Sequence, residues 1–128
     1  SGEEPSLMKI INAANYVFLL RKGSQDCSLI ARAILQQEEI TVPSRGKNKK
    51  VQKDLRPGIY DLHVDYREDS DALCFMVSIN EPVNVRYDEL LDVLLKNGVE
   101  ALNIVDFYRQ GNYIKDNDRY YSPLERVK

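Results

Sequence analysis

The sequence predicts an α+β domain with a mostly antiparallel sheet and helices packed on one face. Two segments, 26–37 and 85–96, carry apolar residues at the spacing of amphipathic helices. Two others, 59–66 and 73–79, place apolar residues at every second position, as the strands of an antiparallel hairpin do. Because these strands follow one another as hairpins and not as repeated βαβ units, an antiparallel sheet is favoured.

The first half of the chain supplies the remaining predicted elements. Ser6 is suited to cap a short helix over 6–14, whose apolar residues recur at helical spacing. Segment 16–20 is apolar on both faces, as expected of a central strand. Segments 40–42 and 51–55 predict two further strands, joined by a loop that contains Pro, Gly and Asn.

Turn and capping residues delimit the second half. Pro57 and Gly58 fit the two central positions of a type II turn. Asn84 is suited to cap a helix that runs from Val85 to Lys96 and ends before Asn97-Gly98. The residues of this helix that are predicted to face the core are Leu90, Leu91, Leu94 and Leu95. A last strand is predicted over 101–108.

The resulting order, α-β-α-β-β-β-β-α-β, suits a ferredoxin-like or split βαβ variant. A chain of 128 residues fits one domain over 1–128. Within it we expect the short helix over 6–14, an α/β core over 15–109 and a polar, turn-rich C-terminal tail over 110–128.

Composition excludes several classes of protein. A net charge of −2 is too small for a surface that binds nucleic acid or membrane as a whole. No apolar run approaches the about 20 residues of a membrane helix, so we expect no membrane partner. Cys27 and Cys74 lack the spacing of zinc or iron–sulfur ligands and are interpreted as reduced core thiols, which favours a cytoplasmic location.

One segment is strongly basic. Between Arg45 and Arg56 six basic residues face a single acid, Asp54, which gives a local charge of +5 in a chain that is net negative. Such a loop can neutralise phosphates, so RNA is a candidate ligand. The alternative is a solvated hairpin tip whose lysines protect an exposed edge strand. The candidate binding residues are Arg45, Lys47, Lys49, Lys50, Lys53 and Arg56.

Asp61, His63 and Asp65 lie on one face of a predicted strand. Side chains two residues apart on a strand are separated by roughly 6–7 Å, so a metal ion could bridge one pair but not all three. A solvated sheet face is the simpler interpretation. No phosphate-binding glycine loop, nucleophile elbow or cluster-binding cysteine motif accompanies them. We therefore expect no catalytic residue, no metal, no cofactor and no enzymatic activity of the chain on its own.

Tyrosines outnumber phenylalanines by eight to three, which raises the question of base stacking. Tyr60 and Tyr66 fall on the predicted core face. The tyrosines nearer the C-terminus are better candidates, although a partly buried tail packed onto the sheet is the favoured interpretation of them. They are Tyr108, Tyr113, Tyr120 and Tyr121.

Four blocks, 6–16, 53–59, 105–113 and 121–125, together resemble the bacterial radical-SAM-linked protein family of unknown function. The resemblance implies a domain fused to, or encoded beside, cobalamin-type radical SAM proteins, near genes for RNA-processing and ribosomal proteins. It therefore implies a radical SAM partner, in cis or in trans, and substrate recognition, with RNA as the substrate class.

The resemblance also has two departures. The N-terminal part of the family domain has no counterpart here, which implies an excised C-terminal portion, and Tyr87 stands where the helix start usually has proline. The family offers no catalytic residues to carry over. Asp54, Arg56 and Pro57 match its pattern, with an unknown role.

Two functional hypotheses follow. In the first, a non-catalytic domain helps a radical SAM protein to hold its substrate, with the basic segment against phosphates. In the second, the chain is a protein–protein docking module in which Asp54 and Arg56 order a turn and a sheet edge contacts the partner. Phosphate contacts weaken steeply with salt and a strand-addition contact does not, so salt dependence separates the two.

Overall fold

A computed structural model of the chain describes residues 11–46 and 51–122. The described residues form seven strands, two α-helices and two single-turn 3-10 helices. In chain order these are β1 (Ala13–Arg21), α1 (Cys27–Leu35), β2 (Thr41–Pro43), β3 (Gln52–Asp54), a 3-10 helix (Arg56–Gly58), β4 (Ile59–Tyr66), β5 (Ser70–Ser78), α2 (Tyr87–Lys96), a 3-10 helix (Ala101–Asn103), β6 (Ile104–Asp116) and β7 (Arg119–Tyr121).

The main sheet has the strand order β4-β5-β1-β6-β7, and every neighbouring pair is antiparallel. Without β7, its strands and the two helices follow one another as βαββαβ, with β1 and β5 in the centre. This arrangement is that of a ferredoxin-like fold, so the predicted α+β class is confirmed. The short strands β2 and β3 pair with each other as a separate hairpin between α1 and β4.

The main core lies between the sheet and the two helices. The Phe18 and Phe75 rings meet edge to face at its centre, with centroids 5.9 Å apart. The helices contribute buried residues at helical spacing, namely Ile30 and Ile34 from α1 and Leu90, Val93 and Leu94 from α2. Both helices are short, and no helix of the described segments has the length and apolarity needed to cross a membrane.

Strand β1 begins earlier than expected. The predicted helix over 6–14 is wrong at its end, because Ala13 and Ala14 belong to β1; its residues 6–10 lie outside the described residues. Ala14 pairs with Val77 on one side and with Asn112 on the other. Hydrogen-bonded neighbours on both sides and full burial outweigh the helix propensity of alanine.

Helix α2 begins two residues later than expected. The predicted cap, Asn84, instead accepts a hydrogen bond from the Asn80 backbone N–H, at 3.0 Å. Val85 is buried before the helix starts at Tyr87, and Glu89 accepts from the Arg86 N–H at 3.1 Å. The start of α2 is therefore set by a carboxylate inside the helix and not by a residue before it.

The expected type II turn at Pro57-Gly58 is wrong. These residues lie in a 3-10 helix, and Gly58 does not have the positive φ that a type II turn requires. A Cβ atom at Gly58 would meet Ser78 Oγ and would lie 2.6 Å from Val83 Cγ1 and 2.8 Å from Val85 Cγ2. Close packing against the segment before α2 is thus the reason for glycine here.

Strand β6 is longer than the predicted strand over 101–108. It runs from 104 to 116, so part of the segment expected to be a polar tail is strand, and the rest of the described part forms β7. The sheet is also curled, as contacts between its two edges show. Lys115 Nζ lies 4.7 Å from the ring centroid of Tyr60, and the Tyr60 and Tyr120 centroids are 6.4 Å apart. The β6–β7 hairpin therefore returns to β4, at the opposite edge of the sheet.

Candidate interaction surfaces

The basic segment is tied to α2 by two ion pairs. Arg45 binds Asp92 with two nitrogens, Nε to Oδ2 at 2.8 Å and Nη2 to Oδ1 at 2.9 Å. This hydrogen bond to Asp92 raises the pKa of Arg45. Lys53 Nζ lies 2.8 and 2.9 Å from the two carboxylate oxygens of Glu89, which is fully buried. Both cations are therefore engaged within the domain.

Arg56 and Asp54 organise the turn that follows β3. Asp54 Oδ1 accepts from the N–H groups of Ile40, at 2.8 Å, and of Arg56, at 3.0 Å. The Arg56 guanidinium donates to three backbone carbonyls, those of Leu35, Gln37 and Ile59, at 3.2, 3.1 and 2.8 Å. The role of these two family-like residues is thus visible: they join the end of α1 to the start of β4.

These contacts leave three basic residues, Lys47, Lys49 and Lys50, which lie outside the described residues. Next to the hairpin a cleft of about 410 Å³ is lined by Pro43, Ser44, Arg45, Arg86 and Asp88. Arg86 is paired with Asp88 at 3.1 Å. A phosphate in this cleft would compete with carboxylates already in place, so the binding role of the six basic residues stays a prediction.

The acidic strip on β4 divides into two separate pairs. Asp61 Oδ2 lies 3.0 Å from His63 Nδ1, and Asp65 Oδ2 accepts from Arg67 Nε at 2.9 Å. The Asp61 and His63 side chains are more than half exposed. Within residues 11–46 and 51–122, no group of three or more His, Cys, Asp or Glu side chains is placed to hold a metal ion.

The sheet face opposite the helices is closed at its centre by a second, small cluster. Val17, Ala72 and Cys74 are buried there and pack against Leu19 and Tyr108. The Tyr108 hydroxyl accepts from Arg67 Nη1 at 2.8 Å, so its ring is fixed in place. RNA-binding sheets of this topology present exposed aromatic rings on their central strands. The aliphatic and sulfur side chains that β1 and β5 contribute here provide no such stacking platform.

The tyrosines do not all lie where the sequence suggests. Tyr66 is 61% exposed and not part of the core, with Lys22 Nζ 5.5 Å from its ring centroid. Near the C-terminus, Tyr120 lies against Tyr60, and burial raises the pKa of both phenols. Base stacking by the C-terminal tyrosines stays a prediction. All four of them, Tyr108, Tyr113, Tyr120 and Tyr121, are half-buried.

The structure reveals an exposed apolar surface that sequence reasoning missed. It lies where α2 meets β6, and we call it the β6–α2 surface. A groove of about 280 Å³, lined by Leu91, Ala101, Ile104, Val105, Asp106 and Phe107, runs along it. The exposed fractions are high for large apolar side chains: 70% for Leu102, 52% for Val105, 43% for Phe107 and Tyr87, and 40% for Leu95.

Aromatic stacking holds this surface in shape. The Phe107 ring is stacked on Phe18, with centroids 5.8 Å apart, and on Tyr87, with centroids 5.3 Å apart. The three rings form a column from the core to the surface, so Phe107 and Tyr87 are fixed before any partner arrives. A pre-ordered aromatic side chain loses little conformational entropy on binding.

The first 87 residues of the chain match the model of a family described as an uncharacterised protein conserved in bacteria, DUF2344. The chain belongs to this family. The matched part contains the basic hairpin and the Asp54-Leu55-Arg56-Pro57 turn, whereas most of the β6–α2 surface lies after it. No curated protein and no solved structure matches the chain.

In this DUF2344 chain a signal for the missed surface is present on α2. Leu90, Leu91, Leu94 and Leu95 are all predicted to point inward, but the buried apolar residues are Leu90, Val93 and Leu94. Tyr87, Leu91 and Leu95 recur every four residues and form a second apolar stripe beside the first. An apolar face wider than one sheet can cover indicates a second contact surface.

Proposed function

We propose that this chain is a non-catalytic recognition domain that docks onto a protein partner through the β6–α2 surface. The observation that carries the proposal is the clustering of exposed apolar side chains there. Of the eight large apolar side chains exposed among the described residues, five belong to this surface. Single exposed apolar residues are ordinary, whereas a contiguous group marks an interaction site.

The partner that we propose is a radical SAM protein, as the resemblance of the four sequence blocks implies. The recognition domain would then help that enzyme to hold its substrate. No chemistry is assigned to the chain itself. Its two thiols are buried, which raises the pKa of Cys27 and of Cys74, and its one histidine is paired with Asp61 on an exposed strand.

The proposal is tested with the purified radical SAM protein encoded beside this chain, by isothermal titration calorimetry. Leu102→Lys places a positive charge on the β6–α2 surface, and Leu29→Lys places the same charge on α1, where Leu29 is also exposed. We expect Leu102→Lys to weaken binding by about tenfold or more and Leu29→Lys to leave it unchanged. Absence of binding by the unaltered chain, or equal losses in the two variants, would refute the proposal.

RNA binding by the hairpin is a second candidate function, favoured by the local charge of +5. Lys49→Ala with Lys50→Ala removes two charges from the hairpin and leaves Lys53, which is paired with Glu89, in place. Arg32→Ala with Arg119→Ala is the charge-matched control, because both residues are exposed and lie outside the hairpin. Fluorescence anisotropy with labelled bulk RNA should show binding that weakens with salt and is lost only in the hairpin variant. Equal loss in both variants would indicate unspecific charge attraction.

A further inference from the structure

We infer that the segment bound by the β6–α2 surface is an extended, cationic stretch of the partner, which adds as a new strand to the outer edge of β6. This inference rests on the proposed docking function and specifies its binding mode. Strand addition is a recurring form of peptide recognition, in which main-chain hydrogen bonds provide affinity and pockets for alternate side chains provide specificity.

Among the described residues, strands pair with the outer edge of β6 only near its C-terminal end. One edge of β6 pairs with β1 through residues 104–113, and β7 pairs with the other edge only at 114–116. Within the described part of the chain, no strand pairs with the outer edge between 104 and 113. Such an edge presents backbone groups in the spacing that another strand requires.

At Phe107, the Asp106 side chain accepts the backbone hydrogen bond that an added strand would otherwise accept. The Phe107 N–H donates to Oδ1 of Asp106, at 2.8 Å, and therefore points away from β1. Alternate residues of a strand direct their backbone groups to the same edge, so the N–H of Arg109 also faces outward. A short local contact of this kind can be exchanged for a ladder hydrogen bond when a partner strand arrives.

The groove between β6 and α2 supplies the side-chain pocket. It runs beside the open edge, and Leu91, Ile104 and Phe107 give it an apolar lining. A strand added to β6 would direct every second side chain toward α2 and thus into this groove. Apolar side chains at alternate positions of the partner segment are the matching pattern.

Two carboxylates at the groove favour basic side chains at the matching positions of the partner segment. Asp106 lines the groove, and Glu100 lies exposed just before the 3-10 helix that leads into β6. Neither carboxylate forms an ion pair with another described residue. Basic side chains on the partner would therefore be favoured. A second copy of this chain is disfavoured, because its β6–α2 surface carries the same two carboxylates and would not complement them.

The test is a nitrogen-15 NMR titration of the full chain with a synthetic peptide of alternating lysine and valine, Lys-Val-Lys-Val-Lys-Val-Lys. Two further peptides are N-methylated, one on the lysine amides and one on the valine amides. Only alternate N–H groups of the peptide would point toward β6. We therefore expect one methylated peptide to lose binding and the other to keep it. The Phe107 and Arg109 amides should shift and exchange more slowly. Equal binding of all three peptides would overturn strand addition.

Matched valine variants locate the contact. Val105→Lys puts a cation at the groove, and Val51→Lys puts one next to β3, where Val51 is exposed to a similar degree. We expect Val105→Lys to weaken peptide binding about tenfold and Val51→Lys to leave it unchanged, with a glutamate-for-lysine peptide failing to bind. Dimerisation that Val105→Lys abolishes would instead identify a second copy as the occupant. If Leu102→Lys impairs radical SAM binding but the peptides do not discriminate, only the strand-addition mode is refuted.

Discussion

Lys53 and Glu89 form a buried ion pair that joins the β2–β3 hairpin to helix α2. Glu89 is fully buried, and the Lys53 side chain is 16% exposed. The same carboxylate accepts the backbone N–H of Arg45, at 2.9 Å, and that of Arg86, at 3.1 Å. A buried carboxylate is tolerated only when its charge and its lone pairs are matched in this way.

We expect Glu89→Ala to lower the free energy of unfolding by about 3–5 kcal/mol, because it leaves a mostly buried ammonium group and two backbone donors without an acceptor. Urea denaturation followed by circular dichroism measures this change. Asp92→Ala is the matched control on the same helix. It breaks the pair with Arg45, whose side chain is half exposed, and should cost less than about 1 kcal/mol. Equal effects of the two variants would contradict a special role for the buried pair.

Arg56→Ala should lower the free energy of unfolding by at least about 2 kcal/mol, since three carbonyl groups lose a charged donor. Arg32→Ala, at an exposed position of α1, should change it by less than about 0.5 kcal/mol. The same denaturation experiment compares them. Unchanged stability of Arg56→Ala together with lost RNA binding would instead assign Arg56 to ligand recognition.

Gly58→Ala should destabilise the domain by about 1–3 kcal/mol, because the added methyl group would overlap with Val83, Val85 and Ser78. Gly46→Ala is the control, since a Cβ there would lie 3.8 Å from its nearest neighbour. Thermal unfolding of both variants beside the unaltered chain provides the comparison. A neutral Gly58→Ala would show that the segment before α2 can move away from the 3-10 helix.

Much of the fold can be predicted from local patterns. The alternation over 59–66 and 73–79 identifies a hairpin, and the helical spacing over 26–37 and 85–96 identifies two helices, since each pattern spans a whole element. The extent of β1 and β6 cannot be predicted in this way. Ala13 and the polar residues after Tyr108 have weak strand preferences, and pairing with distant strands decides their conformation.

The interaction surfaces are harder to predict for the same reason. Segment 45–56 has a net positive charge when its own residues are counted. The acids that pair with it are distant in sequence: Glu89 lies 36 residues after Lys53, and Asp92 lies 47 residues after Arg45. The β6–α2 surface likewise exists only where residues of two elements come together. Sequence patterns indicate which faces are apolar and do not show which of them another element covers.

The contacts of Asp71 predict that the stability of the folded chain depends on pH. The residue is 3% exposed, and its Oδ2 accepts the Gly23 N–H at 2.9 Å while Lys22 Nζ lies 3.0 Å from Oδ1. The Gly23 hydrogen bond first, and Lys22 in addition, lower the pKa of Asp71 below its ordinary value of 3.8, although burial opposes them. The ionised form is therefore stabilised in the folded protein.

A lowered pKa in the folded state stabilises the protein fully above pH 3.8, and this contribution is lost as the pH falls through the folded-state pKa. We expect Asp71→Asn to be less stable than the unaltered chain at neutral pH and the difference to shrink below pH 3.8. Urea denaturation between about pH 7 and pH 2 measures it. Lys22→Ala should keep most of the pH dependence, because Gly23 is the larger cause. A difference between Asp71→Asn and the unaltered chain that stays constant over this range would contradict the assignment.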